Sequence, residues 1–189
     1  MANTRKQPGK QQGVVLITGL IFMVILTLLA VGAMRMTMLE EKMAGNTRNR
    51  DLAFQAAEAA LREGLGRVYS GTISTTSGFI SGCSTTAPVG LCLPSTTATP
   101  IWNTKFPFGQ TTPTLSGVAT FGGTALVGVA NQPQYIIELL PDVPVPPGNS
   151  LGIGRSLGSG TATPFRITAR GWGLAPEAQA TVQATYLDF

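Results

Sequence analysis

Histidine is absent from the 189 residues, and charge is scarce: 13 Lys and Arg and 9 Asp and Glu make up 12% of the chain. Without histidine there is no Ser-His-Asp triad, no Cys-His dyad and no imidazole base. Two cysteines are too few for the usual zinc sites, which take four His or Cys ligands, or three plus water. No metal and no cofactor is therefore expected. What is plentiful is different: 43% hydrophobic residues, 23 Gly and 13 Pro. A chain this apolar is not disordered throughout, and its length fits one domain plus at most a tail. The formal charge of +4 points to nucleic acid or anionic lipid only if the basic residues cluster on the folded part.

They do not. Arg5, Lys6 and Lys10 lie in the first ten positions, and no acid precedes Glu40. From Val14 to Met34 there is no charge for 21 residues. As a helix that run is about 31 Å long, the thickness of a bilayer's hydrocarbon core. Its polar side chains are Thr18 and Thr27, whose hydroxyls can bond a carbonyl one turn back. The leading basic residues favour a cytoplasmic N-terminus. A secretory signal fits poorly. The apolar run is too long, and the nearest small-x-small cleavage site, Ala30-x-Gly32, lies inside it. A single-span anchor fits better.

Residues 35–68 continue without proline and are rich in Ala, Leu, Met, Glu, Gln and Arg, good helix formers. Gly45-Asn46 is the weak point, where a bend is predicted. Beyond it Phe54, Ala57, Leu61, Leu65 and Val68 recur at three- and four-residue steps, which makes one apolar stripe. A membrane helix thus runs into an amphipathic one, about 55 residues and about 80 Å in all.

The junction before the apolar run reads Gln11-Gln12-Gly13-Val14-Val15-Leu16-Ile17. A short basic leader ending in glycine, directly followed by an apolar helix, resembles the class III signal peptide of type IV pilins and type II secretion pseudopilins. LEEKMAGNTRNRDLAFQAAEAALREG (residues 39–64) resembles the N-terminal segment of PilX-type minor pilins, and PFRITARGWGLAPEAQATVQATYL (residues 164–187) their terminal hairpin. The resemblance covers roughly the first 70 and last 25 residues; residues 70–133 match nothing recognisable.

It implies a leader, residues 1–13, cut by a prepilin peptidase between Gly13 and Val14, with methylation of the new N-terminus. It implies storage in the bacterial inner membrane as a single pass with the domain periplasmic, then transfer to an extracellular pilus. The partners implied are other minor pilins, the major pilin and a large tip-associated adhesin. Pilins carry glutamate at the fifth mature position; here it is Thr18. In the family that glutamate is thought to pair with the amine of the preceding subunit. A subunit without it suits the tip, which has no predecessor. A tip pseudopilin of type II secretion also lacks it and is the alternative; a singly anchored periplasmic binding domain or enzyme is a third.

The implied architecture is α+β and type IV pilin-like: residues 14–34 a membrane or filament-core helix, 35–68 its amphipathic continuation, 69–189 a β-rich domain. In the last, residues 69–134 are rich in Ser, Thr, Gly and Pro and read as loops with short strands at 116–121 and 124–130. Trp102, Phe106, Phe108 and Phe121 imply some burial there. Gln134–Leu140 reads as a strand. Phe165, Ile167 and Ala169 alternate with Arg166, Thr168 and Arg170, and Val182, Ala184 and Tyr186 with Thr181, Gln183 and Thr185, so both segments read as half-buried strands. One face of this antiparallel sheet is expected to cover Phe54, Leu61, Leu65 and Val68. A disulfide between Cys83 and Cys92 is expected if the domain lies in an oxidising compartment.

Catalysis would rest on Lys105, the sole lysine after the long helix, or on Glu138 and Asp142, which read as solvated strand ends. Gly152-Ile-Gly154-Arg-Ser-Leu-Gly158 fails the spacing of a phosphate loop. Arg155, Arg166 and Arg170 lack a stacking set of aromatics, so nucleic acid is not expected. Residues 14–189 carry ten basic and nine acidic side chains, a net of +1. The basic character belongs mostly to the leader.

Overall fold

The computed structural model describes residues 13–73, 77–107, 117–144 and 161–188. Residues 1–12, Phe108 and the Gly/Ser-rich segment around Arg155 lie outside them. Helix α1 covers Val14–Tyr69. Its backbone stays helical through Gly45-Asn46, where the sequence predicts a bend. The chain divides at that point into two units, residues up to Gly45 and residues from Asn46.

In the first unit every residue from Val14 to Gly45 is exposed, including Phe22, Leu26 and Leu29. This part of α1 holds the one segment among the described residues that is long and apolar enough to cross a membrane. Thr18 Oγ1 donates to the carbonyls of Val14 and Val15, both at 3.0 Å, and Thr27 Oγ1 to Val24 at 2.8 Å. Each hydroxyl is satisfied within its own helix, so neither opposes insertion.

In the second unit the rest of α1 packs on a six-stranded sheet. The strands are β1 (Leu91–Cys92), β2 (Ala119–Thr120), β3 (Gln134–Leu139), β4 (Val143–Pro144), β5 (Thr161–Trp172) and β6 (Gln179–Asp188), with a short helix α2 (Ile101–Lys105) after β1. β5 is central, antiparallel to β3 on one side and to β6 on the other. β4 extends the sheet at the start of β5. β1 and β2 share the far edge of β3, β1 parallel and β2 antiparallel. The long strands are antiparallel, as the sequence suggested, and the two-residue β1 adds one parallel pair that makes the sheet mixed. The parallel pair is joined by a long crossover that carries α2 and β2, not by a hairpin.

Two expected strands shrink. Ser116 lies outside the described residues; of 117–121 only Ala119–Thr120 pair as strand, and 124–130 form a turn. The turn is closed by Gln132, whose side chain accepts from Leu126 N–H and donates to its carbonyl, with Gly128 at φ +84°. β5 is buried on both faces rather than one. Toward α1 its Phe165, Ile167 and Ala169 join Tyr135, Ile137, Ala60, Leu61 and Val68. On the other face Ile136 packs with Cys83, Cys92, Ile101, Phe106 and Val118.

Candidate functional site

The seam between α1 and β5 is built from small residues. Ala53, Ala56, Ala57, Ala60, Leu61, Gly64 and Val68 are the buried positions of α1. They repeat at three- and four-residue steps, as a packed helix face must. The backbones nearly touch at Gly171, where a Cβ would strike the Ala53 carbonyl oxygen and the Ala57 nitrogen. Gly173 sits equally tightly under Asn49, whose Oδ1 accepts from Ala175 N–H at 3.2 Å. Only glycine lets a strand lie this near a helix backbone.

This geometry corrects the predicted helix face. Leu61 and Val68 are buried against the sheet and Leu65 is partly buried there, but Phe54 is 51% exposed. An aromatic ring has no room where the backbones nearly touch. Phe54 instead lies on the outward side, beside Gln55, Glu58 and Arg62 along a shallow hollow of about 330 Å³.

Further along, Glu63 and Arg67 anchor β3. Tyr135 donates its hydroxyl proton to Glu63 Oε1 at 2.9 Å and accepts from Arg67 Nη1 at 2.9 Å. Glu63 Oε2 accepts from Gly122 N–H at 2.8 Å. Burial, the largest influence, pushes the Tyr135 phenol up to about 12.

The opposite face is held by Arg170. Its guanidinium donates to the carbonyls of Phe106 and Pro107 and to Thr181 Oγ1, and lies over the Phe106 ring at 5.3 Å. At 6% exposure it fastens the end of α2 to the sheet, and is not available to a nucleic acid. Arg166 is partly exposed and pairs with Glu138 at 3.8 Å. Glu138 is 1% exposed, not the solvated strand end its type suggested. Its Oε2 finds no hydrogen bond among the described residues, and burial raises its pKa despite Arg166. Asp142 does not join it; Asp142 accepts from Thr163 Oγ1 at 2.8 Å.

Cys83 and Cys92 form the disulfide. The ring is closed further by Ser84 N–H to the Leu91 carbonyl and Gly90 N–H to the Ser84 carbonyl. Gly90, at φ +87°, presses on Ala119 and offers its carbonyl to Ile137 N–H. The loop is thus moored to both β2 and β3.

Among the described residues there is no cluster of three His, Cys, Asp or Glu that could hold a metal. Lys105, with its pKa lowered by burial, sits at the end of α2. Gly13 directly precedes α1, with Val14 its first residue.

Comparison with known proteins agrees with this architecture. Residues 12–62 match the PilX N-terminal family. Residues 87–188 match the family described as type IV pilus assembly protein PilX, C-terminal. The second match begins inside the cystine ring, so it takes in much of the middle region that had resembled nothing. No curated protein and no solved structure matches the chain. The C-terminal match alone spans more than half of the sequence, and the chain belongs to the PilX family of type IV pilus assembly proteins.

Proposed function

We propose that this chain is a minor pilin that helps initiate the type IV pilus and sits at or near its tip. The peptidase cuts after Gly13, the apolar half of α1 is held in the inner membrane with the domain periplasmic, and assembly transfers it into the filament core. Its neighbours are then the major pilin, other minor pilins and a tip-associated adhesin.

The observation that carries the reading is Thr18. In the mature chain it stands fifth, and its hydroxyl is turned onto Val14 and Val15 of its own helix. It offers no carboxylate to a predecessor's amine. An unpaired ammonium in lipid costs several kcal/mol, so docking a subunit ahead of this one is disfavoured. Its own amine is still available to a following subunit.

Labelling intact filaments with an antibody against residues 46–189 tests the position. Label at one end is expected; uniform label along the shaft refutes it. The mature protein should begin at Val14 with a methylated amine, and Gly13→Arg should leave an unassembled precursor. The tip pseudopilin of type II secretion shares the missing glutamate. A deletion strain that keeps its pili and loses exoprotein secretion would favour that alternative.

A further inference from the structure

Among the described residues no strand pairs with the outer edge of β6, which bonds to β5 alone. One bond sets the phase of that ladder. Gly173 N–H donates to the Ala178 carbonyl at 2.8 Å, and these residues extend the register of Trp172 with Gln179. Bonded and non-bonded pairs alternate along an antiparallel ladder. Ala180, Val182, Ala184 and Tyr186 therefore exchange bonds with β5. Thr181, Gln183 and Thr185 turn their N–H and C=O groups outward. The Pro164 carbonyl, which accepts from Leu140 on the β3 side, obeys the same phase.

Long edges are normally guarded by lysine, proline, a bulge or an inward charge. β6 runs ten residues with none of these, and its one charge is Asp188 at the end. Its register passes through ten successive pairs without a bulge. Val182, Ala184 and Tyr186 pack on the core yet stay half-exposed, so the apolar cover stops at this strand.

We propose that this edge accepts an added strand from a different protein. The occupant is an extended segment of about six to eight residues, the length of an ordinary strand. Its backbone pairs with Thr181, Gln183 and Thr185, which only an extended chain can do. Its alternate residues are apolar toward the α1 side, where they continue Val182, Ala184 and Tyr186, and uncharged polar on the other. Charge is disfavoured because β6 offers no counter-charge between Gln179 and Leu187. A second copy is disfavoured too. β6 paired antiparallel with itself about Gln183 sets each Asp188 against Ala178 and next to Glu177 of the other copy, a like-charge contact made twice. The inference does not depend on the tip position.

The test uses the full-length chain in the cells that make it, with a benzophenone amino acid at Leu187 and, as a control, at Thr85 in the cystine ring. Light should join Leu187, and not Thr85, to a second protein. Thr185→Pro removes an outward N–H without touching the β5 ladder, and Thr185→Lys places a charge on the edge. Each should lower adduct yield by about tenfold or more, equal to 1.4 kcal/mol of binding, with chain level and the Cys83–Cys92 bridge unchanged. If Thr185→Pro does not accumulate, Thr185→Lys decides alone. Cysteines placed along the captured segment should cross-link with a period of two. The proposal is overturned by no adduct, by an adduct between two copies of this chain, by an adduct that a well-folded variant leaves intact, or by a period of three to four.

Discussion

The seam between α1 and β5 makes a sharp demand on position 171. Gly171→Ala adds one methyl group, and its carbon would overlap the Ala53 carbonyl oxygen and the Ala57 nitrogen. Both are backbone atoms of a helix, so no side chain can swing aside. Relief requires α1 to lift by roughly an ångström, and overpacking of that kind costs about 1–3 kcal/mol, sometimes more. Lifting also opens the contacts at Ala56, Ala57 and Ala60, which are nearly fully buried. We expect the upper end, about 3 kcal/mol. For a chain of this size that lowers Tm by about 6–12 °C. Gly66→Ala is the counterpart. Its Cβ would meet nothing within 4 Å, and replacing glycine by alanine inside a helix gains about 1 kcal/mol. Thermal unfolding of the full-length chain in detergent, followed by the fluorescence of the fully buried Trp172, reads both. Opposite shifts are expected from the same chemical change. A Gly171→Ala protein as stable as the wild type would show that the helix does not rest on β5 in this way.

Three further outcomes follow from the opposite face. Arg170→Met should destabilise by about 2–4 kcal/mol in urea unfolding, since it leaves the Phe106 and Pro107 carbonyls without their donors, at about 1–3 kcal/mol for a buried group so stranded; a loss under 1 kcal/mol would contradict the fastening of α2. Glu138 keeps its proton in the folded state to a pH at which the unfolded chain has already released it. Stability contributed this way is complete below the ordinary carboxylate range and falls as pH rises through it. Glu138→Gln should therefore gain on the wild type between pH 4 and pH 7, and equal differences at the two pH values would refute the assignment. Reducing Cys83–Cys92 should cost about 2–3 kcal/mol on the loop-entropy account of a ten-residue ring, checked by unfolding with and without reductant; free thiols in the native protein would remove the effect.

The long helix and the three long strands were legible because their signals are local. The uncharged run fixed one half of α1, and period-two alternation found β5 and β6 within a few residues. What was missed is non-local. Phe54 fits the helical stripe by spacing, but the face that meets the sheet was chosen by volume, and that choice depends on Gly171 and Gly173, well over a hundred residues away. Glu138 read as a solvated strand end because of its type, and Arg170 fell on the uncovered side of a strand read as half-buried. They are buried because α2 and the cystine ring cover the second face of the sheet, and neither follows from the strand pattern. The signal that was available is the pair Gly171-x-Gly173 at the end of a strand opposite an alanine-rich helix, a mark of close backbone approach.

The same volume argument assigns a use to the outward side of α1. Because alanine and glycine occupy the sheet side, the large side chain at Phe54 is left facing out, beside Glu58 and Arg62. In the proposed filament that side meets neighbouring helices. Phe54→Ala should then leave domain stability within about 0.5 kcal/mol, as for a surface substitution. It should nonetheless reduce the amount of this chain recovered in sheared pili, because an aromatic anchor at a packed interface contributes about 2 kcal/mol or more. Ala57→Leu is the inverse case. It overfills the seam and should unfold the domain before assembly is reached, since Ala57 is 0% exposed. Measuring stability and pilus incorporation on both variants separates the two sides of one helix. If Phe54→Ala lost stability instead of incorporation, the ring would belong to the core, and the outward side would have no part in assembly.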